Sequence, residues 1–306
     1  MKKSFINSTH IEGYLYEHSL QMKTSGPKTK NPGVEFISGD ISIATDGNMT
    51  NIIPVHYSYT TSFFKNGNPN PTFAFLKSII DGKIGSVMEH GKENAVKLRI
   101  DSALDLNEFI SKNNNELVSV RRNEGGFIHQ VSELAPEKQR ATFNVDVVLT
   151  GVNRVEADPD KNMPEKVNLK GYVFNFRNEV LPVEFAVYAP YAPPAALDYF
   201  ENLGISGKSP VFTRVQGQQV SRTIVRKVEE ESAFGEILVK EIKNTQKDFV
   251  VNWAQVEPYE WDSENTILAS ELAEALAQRE LKLAELKNRN NVVKPNNAIP
   301  SGDYDF

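Results

Sequence analysis

The chain repeats itself, and this repeat constrains its fold more than any other feature. Residues 36–57, FISGDISIATDGNMTNIIPVHY, return in altered form as residues 168–185, NLKGYVFNFRNEVLPVEF. Each copy has a glycine, an alternating apolar run (Ile41 and Ile43; Val173), a polar turn, and an apolar-Pro-Val-x-aromatic block. The blocks are Ile53-Pro54-Val55-His56-Tyr57 and Leu181-Pro182-Val183-Glu184-Phe185. Alternation with period two across a short turn predicts a β-hairpin. Proline at the same place in both predicts a strand start or an exposed edge, since it has no N–H to give a ladder.

The repetition spreads outward. Ile11-Glu12-Gly13 matches Leu149-Thr150-Gly151, and Gly91 matches Gly217. The segment from Phe75-Leu76 to Gly82-Lys83 matches that from Tyr199-Phe200 to Gly207-Lys208. Leu117-Val118 with Phe127-Ile128 matches Ile237-Leu238 with Phe249-Val250. The unit is about 120 residues, the size of a domain rather than of a solenoid repeat. A chain of 306 residues has room for two such cores. The expected division is residues 1–140 and 141–261 as two β-rich domains, 262–288 as an amphipathic helix, and 289–306 as a flexible linker and acidic tip.

Taken in order, residues 5–18 read as a first strand, with Ile11, Gly13 and Leu15 on one face and Tyr14 and Tyr16 on the other. A polar loop with Lys23, Lys28 and Lys30 follows, then the two-strand block, then an aromatic and Asn/Pro-rich loop over residues 57–71. Residues 72–81 suit a short helix closed by Gly82. A fourth strand is expected at residues 96–100, where Lys97 and Arg99 alternate with apolar neighbours. Residues 117–120 and 127–131 should complete the sheet around a turn at 123–126. The second copy has the same order, with its first strand over residues 145–155.

Strand, long loop, strand, strand, short helix, strand, loop, strand is the order of the OB-fold, a five-stranded Greek-key barrel. The expected class is therefore mainly β: two tandem OB-fold-like barrels, then a helix and a tail. OB-folds bind oligonucleotides on the face of their second and third strands, helped by the loops after strands one and four. Here those elements are the loop carrying Lys23, Lys28 and Lys30, the two-strand block, and residues 103–115.

In the second copy Leu169, Gly171 and Val173 point one way; Lys170, Tyr172, Phe174 and Phe176 point the other. Three aromatics beside a lysine, opposite the core, would form a base-stacking platform. Otherwise the strand is buried on both faces, or its rings pack against the other domain. The segment 188–194 and Arg222 and Arg226 would flank the same groove. In residues 262–288, leucines recur at helical spacing, with Asp262 or Ser263 as the N-cap. That helix should pack on the second domain or on a twin helix.

Net charge is −6, and the acidic excess lies in the second half of the chain. Absence of cysteine removes disulfides, thiolate zinc sites and cysteine nucleophiles. Histidines at 10, 18, 56, 90 and 129 lack metal-ligand spacing. The GISGKS of residues 204–209 lacks the first glycine of a phosphate-binding loop, having Asn202 there, and Pro210 follows at once. Asp101 with Asp105, and Asp158 with Asp160, read as solvated or capping loop acids. No catalytic residue, metal or cofactor is expected, so the chain reads as no enzyme. No apolar run is long enough for a membrane span, and the start, MKKSFINSTHIEG, lacks the apolar region of a signal peptide. The expected location is cytoplasmic, the host cytoplasm if the protein is phage-encoded.

The chain ends in Asp303-Tyr304-Asp305-Phe306 after an Asn/Pro-rich linker. A β-barrel core, such a linker and an acidic tip ending in phenylalanine resemble the single-stranded DNA-binding (SSB) proteins of bacteria and phages. The tandem layout looks more like a phage SSB or replication protein A than the one-fold bacterial SSB, and the missing cysteines set aside the thiolate-zinc phage type. The tip has fewer acids than the usual bacterial tail. The resemblance implies sequence-independent coating of single-stranded DNA in replication, recombination or repair. It also implies recruitment of replication or recombination proteins through Asp303, Tyr304, Asp305 and Phe306. By that analogy the nucleic-acid face carries Tyr14, Tyr16, Lys23, Lys28, Lys30 and Lys97 in the first copy. In the second it carries Lys170, Tyr172, Phe174, Phe176, Arg177, Arg222 and Arg226. The alternative is a structural or assembly protein, such as a virion or scaffold component, built from duplicated barrels.

Overall fold

The computed structural model describes residues 5–111, 113–158, 163–230, 238–263 and 266–291; for residues 222–230, 238–246 and 289–291 it describes the backbone only. Five strands form the first ring: β1 (Asn7–His18), β3 (Glu35–Ala44), β4 (Ile52–Thr61), β5 (Lys97–Ile110) and β6 (Leu117–Gln130). A short strand, β2 (Gln21–Thr24), edges β3. β1 pairs antiparallel with β5 through Thr9–Tyr14, then bends at a bulge between Leu15 and Glu17 and pairs with β3. β3 pairs with β4, β4 meets β6 in parallel at Val55 and His56, and β6 returns along β5. This closed circuit is the OB-fold barrel.

The second ring repeats it with β7 (Ala141–Val155), β8 (Lys166–Phe174), β9 (Val180–Tyr188), β10 (Val211–Glu230) and β11 (Leu238–Ala254). β7 pairs with β8 and β10, β8 with β9, β9 in parallel with β11, and β11 with β10. The two rings share a seam where Asn7–Ile11 of β1 run antiparallel to Ala141–Val145 of β7. The repeated glycines Gly39 and Gly171 have a steric origin. A Cβ there would come within 2.5 Å of the Ser19 carbonyl oxygen and 2.4 Å of the Val148 carbonyl oxygen, respectively. Pro54 and Pro182 are each the third residue of their strand, before the parallel partner joins. The missing N–H therefore costs no ladder bond to that partner.

The helix between strands three and four is α1 (Pro71–Ile80) in the first copy. Asn70 caps it, its side chain accepting from the Thr72 N–H at 3.1 Å, and Pro71 occupies the first turn, where a missing N–H is harmless. Gly82, at φ 68°, closes it as expected. After it comes a single turn, α2 (Val87–His90). The equivalent helix of the second copy is α3 (Pro194–Asn202). Ile11, Ile41, Val55, Leu98 and Ile100 fill barrel one; Val147, Leu169, Val173, Val183 and Phe185 fill barrel two. Each fully buried aliphatic or phenyl side chain of this kind contributes about 1.5–3 kcal/mol.

Three expectations need correction. Residues 103–115 are not a loop: β5 continues to Ile110, past a bulge between Asp101 and Ala103 that interrupts its alternation. The turn expected at 123–126 is the middle of the unbroken β6, where Gly126 passes so close to Asp101 that a Cβ would come within 1.9 Å of its carbonyl oxygen. The C-terminal helix, α4 (Ala269–Asn291), starts seven residues after Asp262. Asp262 still caps it, accepting from the Ala269 N–H at 2.9 Å. Before the helix begins, Ile267 is buried in the apolar layer on barrel two.

Candidate nucleic-acid interface

Because β5–β6 and β10–β11 outrun their barrels, each hairpin lies against the other barrel. From the first hairpin, Leu104 and Leu106 join the core of barrel two, and Arg121 Nη1 donates to the Glu184 carbonyl oxygen at 2.7 Å. From the second, Gln219 exchanges two amide hydrogen bonds with Asn123, at 2.9 and 3.0 Å. Asn51 Nδ2 donates to the Gln219 carbonyl oxygen at 3.1 Å, and Asn51 Oδ1 accepts from the Ser221 N–H at 2.5 Å. Asn123 and Gln219 are both buried, so the paired amides satisfy groups that would otherwise be costly.

This exchange turns the strand 2–3 faces of both barrels toward one groove. Its barrel-one half is a cavity of about 600 Å³ bordered by Pro54 and His56 of β4, Arg121 and Arg122 of β6, and Lys247 and Phe249 of β11. The barrel-two half is a cavity of about 460 Å³ bordered by Lys170 and Tyr172 of β8 and Pro182 and Glu184 of β9. Ser119 and Arg121 line both halves.

The cations differ in what they can offer. Arg122 is bound to Asp105 at 3.2 Å and Glu124 at 3.0 Å, so its charge is matched internally. Arg121 sits 5.5 Å over the Phe249 ring, exposed to the groove. Lys247 is exposed and has no ion-pair partner among the described residues. Lys170 pairs with Glu184 at 3.6 Å with both side chains in water, a weak contact that a phosphate can displace. Acids are present too: Asp40 borders the groove and holds the His56 ring at 2.8 Å.

The predicted first-copy residues divide between two sides of barrel one. Tyr14 and Lys97 stand on the β1–β5 flank, where Lys92 lies 5.5 Å over the Tyr14 ring and Lys97 Nζ donates to the Ser132 carbonyl oxygen at 3.0 Å. Tyr16 is half-buried further along β1. Lys23, Lys28 and Lys30 are exposed around the β2–β3 connection, with Lys23 Nζ 3.4 Å from Ser38 Oγ.

In the second copy Lys170 and Tyr172 line the groove, but Phe174 does not. It points away from the barrel core, as alternation requires, yet only 2% of it is exposed. Phe5 covers it at 4.5 Å between ring centroids, and Phe212, Ile267 and Leu272 complete a second apolar layer. The expected platform at Phe174 is thus a core position, covered by the N-terminus and the segment leading into α4. Phe176 is 83% exposed beyond the end of β8, with the Arg177 guanidinium 4.9 Å over its ring and Glu179 3.3 Å from Arg177. Arg222 and Arg226 fall on β10 where only backbone is described, and Asp303, Tyr304, Asp305 and Phe306 lie outside the described residues. The segment 188–194 does not border the groove; its residues 188–191 line another cavity with Asp46, Asn51 and Gln218.

Sequence reasoning missed Arg121, Lys247 and Phe249. Placing a turn at 123–126 took Arg121 out of any strand face, and Phe249 was used only to align the repeats. The residues 204–209 form a loop followed by β10 rather than by a helix, which agrees with rejecting a phosphate-binding loop there. Among the described residues no group of three or more His, Asp or Glu is placed to hold a metal ion. Among the same residues no helix is long and apolar enough to cross a membrane.

A family model described as YorF matches residues 6–289, and the chain belongs to that family. No curated protein matches it. Among solved structures it is similar to the wild-type single-stranded DNA binding protein from Thermus aquaticus, at 10% identity and a TM-score of 0.47, over 82% of this chain and 92% of that one. A deletion mutant of the Thermus aquaticus protein gives 10% identity and a TM-score of 0.48, over 86% and 100% of the two chains. A replication protein A heterotrimer bound to ssDNA gives 8% and 0.22, over 92% and 53%. The assignment of the barrels rests on the strand pairings above.

Proposed function

We propose that this member of the YorF family binds single-stranded DNA without sequence preference, along the groove between its barrels, in replication, recombination or repair. The observation that carries the reading is that the strand 2–3 faces of two OB barrels open into one groove holding Arg121, Lys170 and Lys247 beside Phe249 and Tyr172. Exposed cations neutralise phosphates with release of counterions, and the half-buried Tyr172 ring can accept the face of any base, while Phe249 packs on barrel two and carries Arg121. Lys23, Lys28 and Lys30 extend the basic surface along barrel one. The role is one of binding rather than catalysis. The acidic, phenylalanine-terminated tip would recruit partner proteins through its carboxylates and terminal ring. We also propose residues 1–140 and 141–261 as the two domains, since the first ring closes with β6 and the second opens with β7.

The test is fluorescence polarisation with labelled oligo-dT of about 30 nucleotides, twice the roughly 16-nucleotide upper site size of one OB-fold. Duplex of equal length serves as the control. Tight binding to the single strand alone, falling steeply with salt, is the expected result. Failure to bind at low salt would overturn the reading in favour of an assembly protein.

A further inference from the structure

Where β4 runs out toward α1, barrel one carries a cavity of about 590 Å³ that shares no lining residue with the groove. Its size lies within the roughly 300–1,000 Å³ of small-molecule sites. Four large rings line it and remain in water: Tyr59 is 48% exposed, Phe63 57%, Phe64 42% and Phe127 64%. Left open, such a cluster is costly unless something covers it.

The rings are held in place rather than loosely tethered. Thr61 Oγ1 donates to the Phe63 carbonyl oxygen at 2.8 Å, the Phe64 N–H to the Asn68 carbonyl oxygen at 2.8 Å, and Asn70 Nδ2 to the Thr61 carbonyl oxygen at 2.9 Å. Phe36 packs on Tyr59 at 4.4 Å between centroids, the rings tilted by 35°. A cavity already formed loses little ordering entropy when it is filled.

The Tyr57 ring also lines the cavity, only 3% of the residue exposed, and its hydroxyl has no hydrogen-bond partner among the described residues. Its ring fits because residue 125 is glycine: a Cβ there would come within 2.5 Å of it. Tyr57 stands on the same face of β4 as Ile53 and Val55, so its hydroxyl is enclosed in the core of barrel one and closed off from the cavity. Among the described residues no acidic side chain lines the cavity. Lys65 does, and Lys28 and Lys30 stand in the loop that contributes Asn31 and Val34; among the described residues none of the three has an ion-pair partner.

Flat apolar walls and the Lys65 ammonium group beside them match the face and phosphate of a nucleotide. We propose that this cavity takes one unstacked nucleobase of the bound single strand, its ring among Tyr59, Phe63, Phe64 and Phe127 and its phosphate near Lys65. The proposal rests on the single-strand reading above and adds a contact outside the groove. A purely apolar ligand would leave the lysine unused.

The test uses the full chain and oligo-dT carrying a single 5-iodouracil, irradiated in the complex, with adducts mapped by mass spectrometry. Adducts on the four rings are expected. The Phe63→Ala/Phe127→Ala double variant should keep its melting temperature and lose about ten-fold in affinity. Binding with adducts in the groove alone overturns the cavity proposal and leaves the single-strand reading standing; no binding at all removes both. Adducts that reach the cavity only in Phe306→Ala would show that the chain's own acidic tip is the occupant, which also overturns it.

Discussion

Tyr59 on barrel one and Phe174 on barrel two are aromatic residues on corresponding sheets, yet one is 48% exposed and the other 2%. Barrel two is wrapped on its outer face by Phe5, Tyr259, Trp261, Ile267 and Leu272. Asp146 fastens this wrapping: it is 4% exposed and accepts from the Ile6 N–H at 2.7 Å, from Arg214 Nε at 2.8 Å and from the Tyr259 hydroxyl at 3.1 Å. The carboxylate in turn holds the Arg214 guanidinium above its ordinary pKa. Arg279 of α4 binds Glu108 of the first hairpin, both largely buried, so the same cover also braces the groove. Among the described residues, barrel one has no such cover on its aromatic cavity. Pointing away from a barrel core and facing solvent are separate properties, and the two barrels separate them.

The sharpest way to break the comparison is Phe174→Ala. If Phe174 is core, the change costs about 3–5 kcal/mol in urea unfolding and leaves the oligonucleotide affinity of the folded protein intact. Stability retained with affinity lost would restore it as a stacking residue. Next, Asp146→Ala should cost about 3 kcal/mol, because it strands Arg214 and frees the terminal cover together. Limited proteolysis should then cut near Tyr259 sooner than in the parent.

Barrel one should show the reverse. Lys28→Ala with Lys30→Ala should leave stability within about 0.5 kcal/mol. It should reduce the slope of log affinity against log salt by about 0.7 per lysine. A smaller effect follows acidification of the loop between β3 and β4. Burial alone would raise the Asp46 carboxyl, but hydrogen bonds from the Thr50 hydroxyl and from the Asn51 and Thr50 N–H groups outweigh it and hold the pKa below 3.8. A depressed folded-state pKa stabilises above the unfolded value and is lost as pH falls through the folded one. Unfolding midpoints of parent and Asp46→Asn should therefore differ at neutral pH and converge below the normal carboxylate range. Smallest of all, Lys97→Ala on the β1–β5 flank should leave oligonucleotide affinity unchanged.

Much of the barrel was legible because its signals are local. Alternation about Ile41, Ile43, Val55, Val173 and Val183 reports a sheet with one buried face. Gly39 and Gly171 mark where two backbones nearly touch, and Asn70-Pro71 with Gly82 brackets a helix. The groove was half legible: Lys170 and Tyr172 are on it, whereas Arg121 and Lys247 reach it only because two hairpins run past their own barrels. Nothing in the residues around Arg121 announces that length, since the bulge at Asp101 breaks the pattern by which a strand is recognised. Tyr57 to Phe64 is visibly aromatic in the sequence, but its rings become a cavity only when Gly125 and Phe127 close its other side.

Sequence alone determined the duplicated strand order and, in strands whose alternation runs unbroken such as β8, the face on which each side chain stands, because a strand's alternation is a property of its own backbone. Tertiary structure decided which outward faces stay open. That depends on segments more than a hundred residues apart, such as Phe5 with Phe174, and burial is settled by what lands on a surface, which no local pattern records.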